Sequence, residues 1–145
     1  MKIEIKGVIV ADDDAWIYEW FGMKVVSPES ISQQLAEANG EDLDVEINSG
    51  GGDVYAGSEI YTALKGYKGK VTVKIVGIAA SAAGVIAMAG NPTLISPTAQ
   101  LMLHNVSSRP YGDYRVLEHE AEILKNYNVS IANAYRLKSG MEESE

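Results

Sequence analysis

With 145 residues, 46% of them hydrophobic and 22% charged, the chain has the make-up of one globular domain large enough to bury a core. A formal net charge of −8 argues against nucleic acid as the main partner, because a phosphate backbone attracts the opposite sign. Cysteine is absent, which removes disulfides, thiolate metal sites and a cysteine nucleophile together.

Residues 2–10 alternate charged and apolar side chains like a strand, and they lack the apolar stretch of an export signal. Asp12-Asp13-Asp14 reads as a solvated turn or a helix N-terminus, since the spacing of a calcium loop is missing. Trp16, Tyr18, Trp20 and Phe21 form an aromatic cluster expected to pack within the domain or against a partner subunit. Ser27-Pro28-Glu29 opens a helix, with serine at the N-cap and proline in the first turn; Ile31, Leu35 and Ala38 give it a buried stripe, and Asn39-Gly40 ends it. Leu43 to Ile47 alternates as a strand that runs into Asn48-Ser49-Gly50-Gly51-Gly52-Asp53, and a helix follows over about 54–67. A β-prone segment at 70–77 leads through Gly77-Ile78-Ala79-Ala80-Ser81-Ala82-Ala83-Gly84 into a helix. Residues 71–90 are almost wholly apolar, but Lys74, the glycines and the change from β to helical character predict a buried αβ unit rather than a membrane span. Short strands at 93–96 and 100–104 and a loop to Gly112 precede a long amphipathic helix over about 113–138. Asn105-Val106-Ser107 and Asn128-Val129-Ser130 match the glycosylation sequon; without a secretory signal both are read as chance. Strands alternating with helices predict a layered α/β domain.

Three stretches bear on chemistry. Ser81 sits between a strand and a helix, where unpaired N–H groups favour an oxyanion, among side chains small enough to admit a substrate backbone. It is not the G-x-S-x-G elbow, because Ala79 and Ala83 stand where its glycines belong, and taken alone Ser81 reads more readily as a plain N-cap serine. Gly50-Gly51-Gly52 lets the backbone approach a ligand, yet no lysine follows as in a phosphate loop, and a bare glycine turn remains open. Of the two histidines, His119 lies in a charged helix, whereas His104 ends an apolar strand where a loop begins. No carboxylates show ligand spacing around either one, so no metal site is expected.

Taken together, Ile47-Asn48-Ser49-Gly50-Gly51-Gly52, Gly77 to Gly84 and Leu101-Met102-Leu103-His104 resemble the Clp protease proteolytic subunit (ClpP) family in order and spacing. The resemblance runs from about residue 5 to the end of the chain. Gly50 stands in for the family's proline in the first motif, and Asn105-Val106 follows the histidine in place of Gln-Pro. These departures are similar to phage or prophage ClpP-related head-maturation proteases.

The resemblance implies a ClpP/crotonase-like superhelix of ββα units in a single domain spanning residues 1–145, with 113–138 as the handle-type helix. It implies Ser81 as nucleophile, His104 as its base, and the N–H groups of Gly52 and Ala82 as the oxyanion hole. Gly51 and Asn105 would bind the substrate backbone as an added strand. Amide hydrolysis through an acyl-enzyme follows, with no cofactor or metal. The family's third triad member is usually an aspartate some fifty residues beyond the histidine; the chain stops at Glu145, so the last αβ unit and that acid are expected to be absent. The partners implied are a peptide or protein substrate, further copies in a ring, and a Clp ATPase or a phage capsid or scaffold protein, with no nucleic acid and no membrane. The setting implied is the cytoplasm of a bacterial cell, phage- or prophage-encoded, in association with proheads. Two other classes stay open: a crotonase-like acyl-CoA enzyme, which would not need Ser81, and a non-catalytic ring subunit.

Overall fold

In the computed structural model, which describes residues 1–142, the elements run β1 (Lys2–Ile9), α1 (Asp12–Trp20), β2 (Val25–Val26), α2 (Pro28–Ala38), β3 (Leu43–Gly52), α3 (Val54–Lys65), β4 (Val71–Ala80), α4 (Ala82–Ala87), β5 (Thr93–Ile95), β6 (Gln100–Met102) and α5 (Tyr114–Ser139). The expected α/β class is found. The chain divides into two units, Met1–Leu103 and His104–Glu145.

All six strands of the first unit pair in parallel, in the order β2-β1-β3-β4-β5, with β6 continuing the β4 edge beyond β5. The period-two pattern decides which face is covered. Ile3, Ile5, Val45, Ile47, Val73 and Ile75 are all fully buried, and with Ile31, Ile60, Leu64 and Ile86 from the helices they make the core. Truncating one of these isoleucines to alanine costs about 2–5 kcal/mol.

The other face carries Lys2, Glu4 and Lys6 beside Asp44 and Glu46, with Lys74 beyond them. In register, Glu4 lies directly opposite Glu46, a like-charge pairing that would destabilise the sheet by itself. Lys2 resolves it by reaching Glu4 at 3.2 Å and Glu46 at 3.0 Å, and Lys6 by reaching the same two at 2.6 and 3.5 Å. Lys74 pairs with Asp44 at 3.1 Å.

Capping follows the sequence. The Ser27 hydroxyl accepts from the Ser30 N–H while Ser30 Oγ accepts from the Ser27 N–H, and Asn39 ends α2 in the left-handed conformation. Asp53 caps α3 by accepting from the Ala56 N–H at 2.7 Å. Asp12-Asp13-Asp14 proves to be the first turn of α1, where carboxylates suit the exposed N–H groups. That helix buries none of its residues. Trp16, Trp20 and Phe21 are 66, 77 and 69% exposed, so packing within the domain does not account for the aromatic cluster. Among the described residues no helix is long and apolar enough to cross a membrane.

Lys6 holds the Glu4 carboxyl, and Lys2 the Glu46 carboxyl, below the usual glutamate range. A depressed carboxyl stabilises the fold above its ordinary range and loses that contribution as pH falls through the lowered value. Lys2 and Glu4 are exposed and Lys6 and Glu46 remain within reach of solvent, so the effect is small and salt-screened. Replacing both glutamates by glutamine is expected to narrow the gap between the melting temperatures at pH 7 and pH 3. Thermal unfolding followed by circular dichroism at low and high salt checks it; an unchanged gap would remove the network from the fold's acid response.

Candidate active site

Ser81 joins β4 to α4 with φ 55° and ψ −127°, a backbone conformation that costs a non-glycine residue about 1–3 kcal/mol. Its backbone is held on both sides. The Ser81 N–H donates to the Met102 carbonyl of β6 at 3.1 Å, and the Ser81 carbonyl accepts from Gly84 at 2.9 Å and Val85 at 3.3 Å. The hydroxyl does not cap the helix and has no hydrogen-bond partner among the described residues. It is a partly exposed serine at the corner of a strand–helix elbow, built from alanines where the usual motif has glycines. Residues 82–87 behind it are all buried, so small side chains let the short helix sit directly on the sheet. The first N–H groups of that turn, at Ala82 and Ala83, precede the two that Ser81 takes up.

The glycine strand lies against this elbow. β3 continues through Gly52, and Gly51 adopts φ +94°. A Cβ added there would stand 2.6 Å from the Ala80 carbonyl oxygen, 2.7 Å from Ser81 Cβ and 3.1 Å from the Ala82 nitrogen. At Gly52 an added Cβ would instead meet the Ile9 backbone of β1. Within the glycine strand it is therefore the side-chain position of Gly51 that meets Ser81 and Ala82, while Gly57 of α3 also packs on Ala82.

Two irregularities in the sheet bring it there. Between Lys6↔Asn48 and Val8↔Gly51, β3 advances three residues while β1 advances two; between Ile47↔Ile75 and Ser49↔Ala79, β4 advances four while β3 advances two. Side chains repair both. Ser49, only 2% exposed, donates its hydroxyl to the Gly7 carbonyl at 2.6 Å and accepts from the Gly51 N–H at 3.1 Å. Asn48 Oδ1 accepts from the Ile78 N–H at 3.2 Å, and its amide packs so closely on Gly77 that a side chain at that position would have to displace it.

His104 opens the second unit, two residues after β6 ends. It is exposed, and its Nδ1 lies 2.7 Å from the Asn105 carbonyl oxygen. A carbonyl only accepts, so Nδ1 carries a proton, and in the neutral ring Nε2 then presents its lone pair. The following loop is tied to α5: the Val106 N–H donates to Asn128 Oδ1 at 2.8 Å, and the Ser108 hydroxyl to Glu120 at 2.6 Å. Asp113 caps α5 by accepting from the Arg115 and Val116 N–H groups. The Arg115 guanidinium, followed by those N–H groups, holds its carboxyl below the usual aspartate range. The Asn105 carbonyl is the group that meets the His104 ring.

The family model for Clp protease matches residues 24–145. The chain belongs to the Clp protease family. It is 35% identical over 88 residues to the ATP-dependent Clp protease proteolytic subunit of Deinococcus radiodurans, covering 59% of this chain and 43% of that one. It is 33% identical over 108 residues to the ATP-dependent Clp protease proteolytic subunit 1 of Tropheryma whipplei, covering 68% of this chain and 52% of that one. A ClpP1 mutant from Listeria monocytogenes has a similar fold, with a TM-score of 0.74 at 25% identity, over 97% of this chain and 73% of that chain. The chain spans about half the length of the curated relatives it matches.

Within this Clp-family chain, the sequence pointed to Ser81, the glycine strand and His104 but not to Ser49 or Asn48, which hold the strand irregularities. Ser49→Ala would take the hydroxyl from a part-buried carbonyl and a buried N–H, a cost of about 1–3 kcal/mol. Urea unfolding should show that loss. Gly51→Ala should fold less stably and also lose reactivity at Ser81, because its methyl group would occupy the space beside the hydroxyl-bearing carbon. A Gly51→Ala chain with unaltered Ser81 reactivity would separate the glycine strand from the site.

Proposed function

We propose that this chain is a serine peptidase of the Clp type, with Ser81 as nucleophile and His104 as general base. The observation that carries the reading is the Ser81 elbow: a strained serine, free of capping, set on a glycine strand beside unpaired helix N–H groups. In this reading Ser81 Oγ attacks a peptide carbonyl carbon while His104 Nε2 takes its proton. The tetrahedral oxyanion is met by the N–H groups of Gly52 and Ala82. Collapse breaks the C–N bond, and His104 returns the proton to the leaving amine. Water then attacks the ester, giving one proton to His104, and release of the acid restores the Ser81 hydroxyl. The substrate backbone runs extended along Gly51 and the segment after His104.

Assembly into rings of identical copies belongs to the same reading, supported by the exposed aromatics of α1 and by the long α5 with its exposed Val116 and Leu117. For the setting, Gly50 in the first motif and Asn105-Val106 after the histidine favour phage or prophage head maturation in a bacterial cytoplasm, with capsid or scaffold protein as substrate. The housekeeping reading, with a separate Clp ATPase as partner, is favoured by the relatives, which are called ATP-dependent.

A fluorophosphonate probe tests the chemistry. One adduct at Ser81 is expected, none in Ser81→Ala, and labelling slowed by about a hundredfold or more in His104→Ala. An unlabelled wild-type chain would leave a non-catalytic subunit or a crotonase-like enzyme. Cleavage of unfolded capsid or scaffold protein without nucleotide would favour head maturation, and dependence on an ATPase the housekeeping role.

A further inference from the structure

We propose that Asn128 is a positioning residue for His104, acting through the Asn105–Val106 peptide; this rests on His104 serving as the base. One amide unit makes both contacts. Its carbonyl accepts from His104 Nδ1–H at 2.7 Å, and its N–H donates to Asn128 Oδ1 at 2.8 Å. Neither contact is open to the opposite polarity, since the backbone N–H only donates and the backbone carbonyl only accepts. The peptide plane is rigid, so fixing the N–H end fixes the direction in which the carbonyl points. Asn128 is itself fixed, partly buried on a helix of 26 residues whose ends are capped by Asp113 and Gly140. Among the described residues the exposed His104 ring has this one hydrogen bond.

The relay does work that a carboxylate does in a Ser-His-Asp triad: it selects the Nδ1–H tautomer and aims the other nitrogen. A neutral imidazole left to itself in water prefers the opposite tautomer, with the proton on Nε2, which has no lone pair to take a serine proton. The two ends of the relay are Asn105-Val106-Ser107 and Asn128-Val129-Ser130, the two sequon matches, here given a physical use. Two carboxylates of the second unit have other bonds: Asp113 caps α5 and Glu120 accepts from Ser108.

The test uses the full chain labelled with ¹⁵N, as wild type, Asn128→Ala and Asn128→Asp. Alanine keeps the helix and removes the acceptor, while aspartate keeps an acceptor oxygen in the same place. Long-range ¹⁵N–¹H spectra at a pH where the ring is neutral read the His104 tautomer, with His119 on α5 as internal reference. The expected result is Nδ1–H in the wild type, a shift toward Nε2–H in Asn128→Ala, and recovery in Asn128→Asp. Fluorophosphonate labelling of Ser81 should fall by about tenfold or more in Asn128→Ala and recover with aspartate. An unchanged tautomer in Asn128→Ala, with α5 intact by circular dichroism, overturns the proposal whatever the labelling does. A tautomer that follows residue 128 in a chain the probe never labels overturns the peptidase reading and keeps the relay.

Discussion

The Ser49 hydroxyl does the work on which the rest of the first unit turns. It is a buried polar group between two backbones, donating to Gly7 on β1 and accepting from Gly51 on β3. A regular parallel ladder would keep the glycine strand in step with β1 and leave it too straight to meet the Ser81 elbow. The extra residue in β3 bends it, and Ser49 satisfies the two backbone groups that the bend would orphan. Asn48 does the same service one residue earlier and toward the other neighbour, β4. Adjacent side chains on opposite faces of one strand thus hold two irregularities that flank the site.

The strain at Ser81 has to be set against this. Sparsely populated backbone angles persist only where surroundings over-determine them. Here three backbone hydrogen bonds grip the residue, α4 is buried along its length, and Gly51 closes the remaining side. The hydroxyl is what remains free. Polar satisfaction of the backbone and freedom of the side chain are two outcomes of the same arrangement.

Much of this was legible in the sequence, and for identifiable reasons. The cap at Ser27-Pro28, the alternation of β1 and the start of β3, and the long periodic helix at the end are local signals, and each element formed close to where it was expected. β3 ran on through the glycines that could have been a bare turn, and β4 to Ala80, because a parallel partner on each side supplies hydrogen bonds that propensity does not register. β2, two residues long, carries too short a pattern to read. Ser49 in Asn48-Ser49-Gly50 looks like any turn serine until its partner, 42 residues away, is known. Asn128 was missed in the same way, its bond to Val106 spanning 22 residues. Contacts between a side chain and a distant backbone leave no periodic trace.

The lengths of the strands bear on how the molecule behaves in company. The long strands β1, β3 and β4 lie inside the sheet, while its borders are β2 with two residues and β5 and β6 with three each. A border that short offers few consecutive free amides for another chain to zip onto, and the lysines and glutamates of the open face deny it a flat apolar landing. The sheet is therefore protected from growing sideways into aggregates. The exposed aromatics of α1 offer a side-chain surface of a different kind, where contact can be selective.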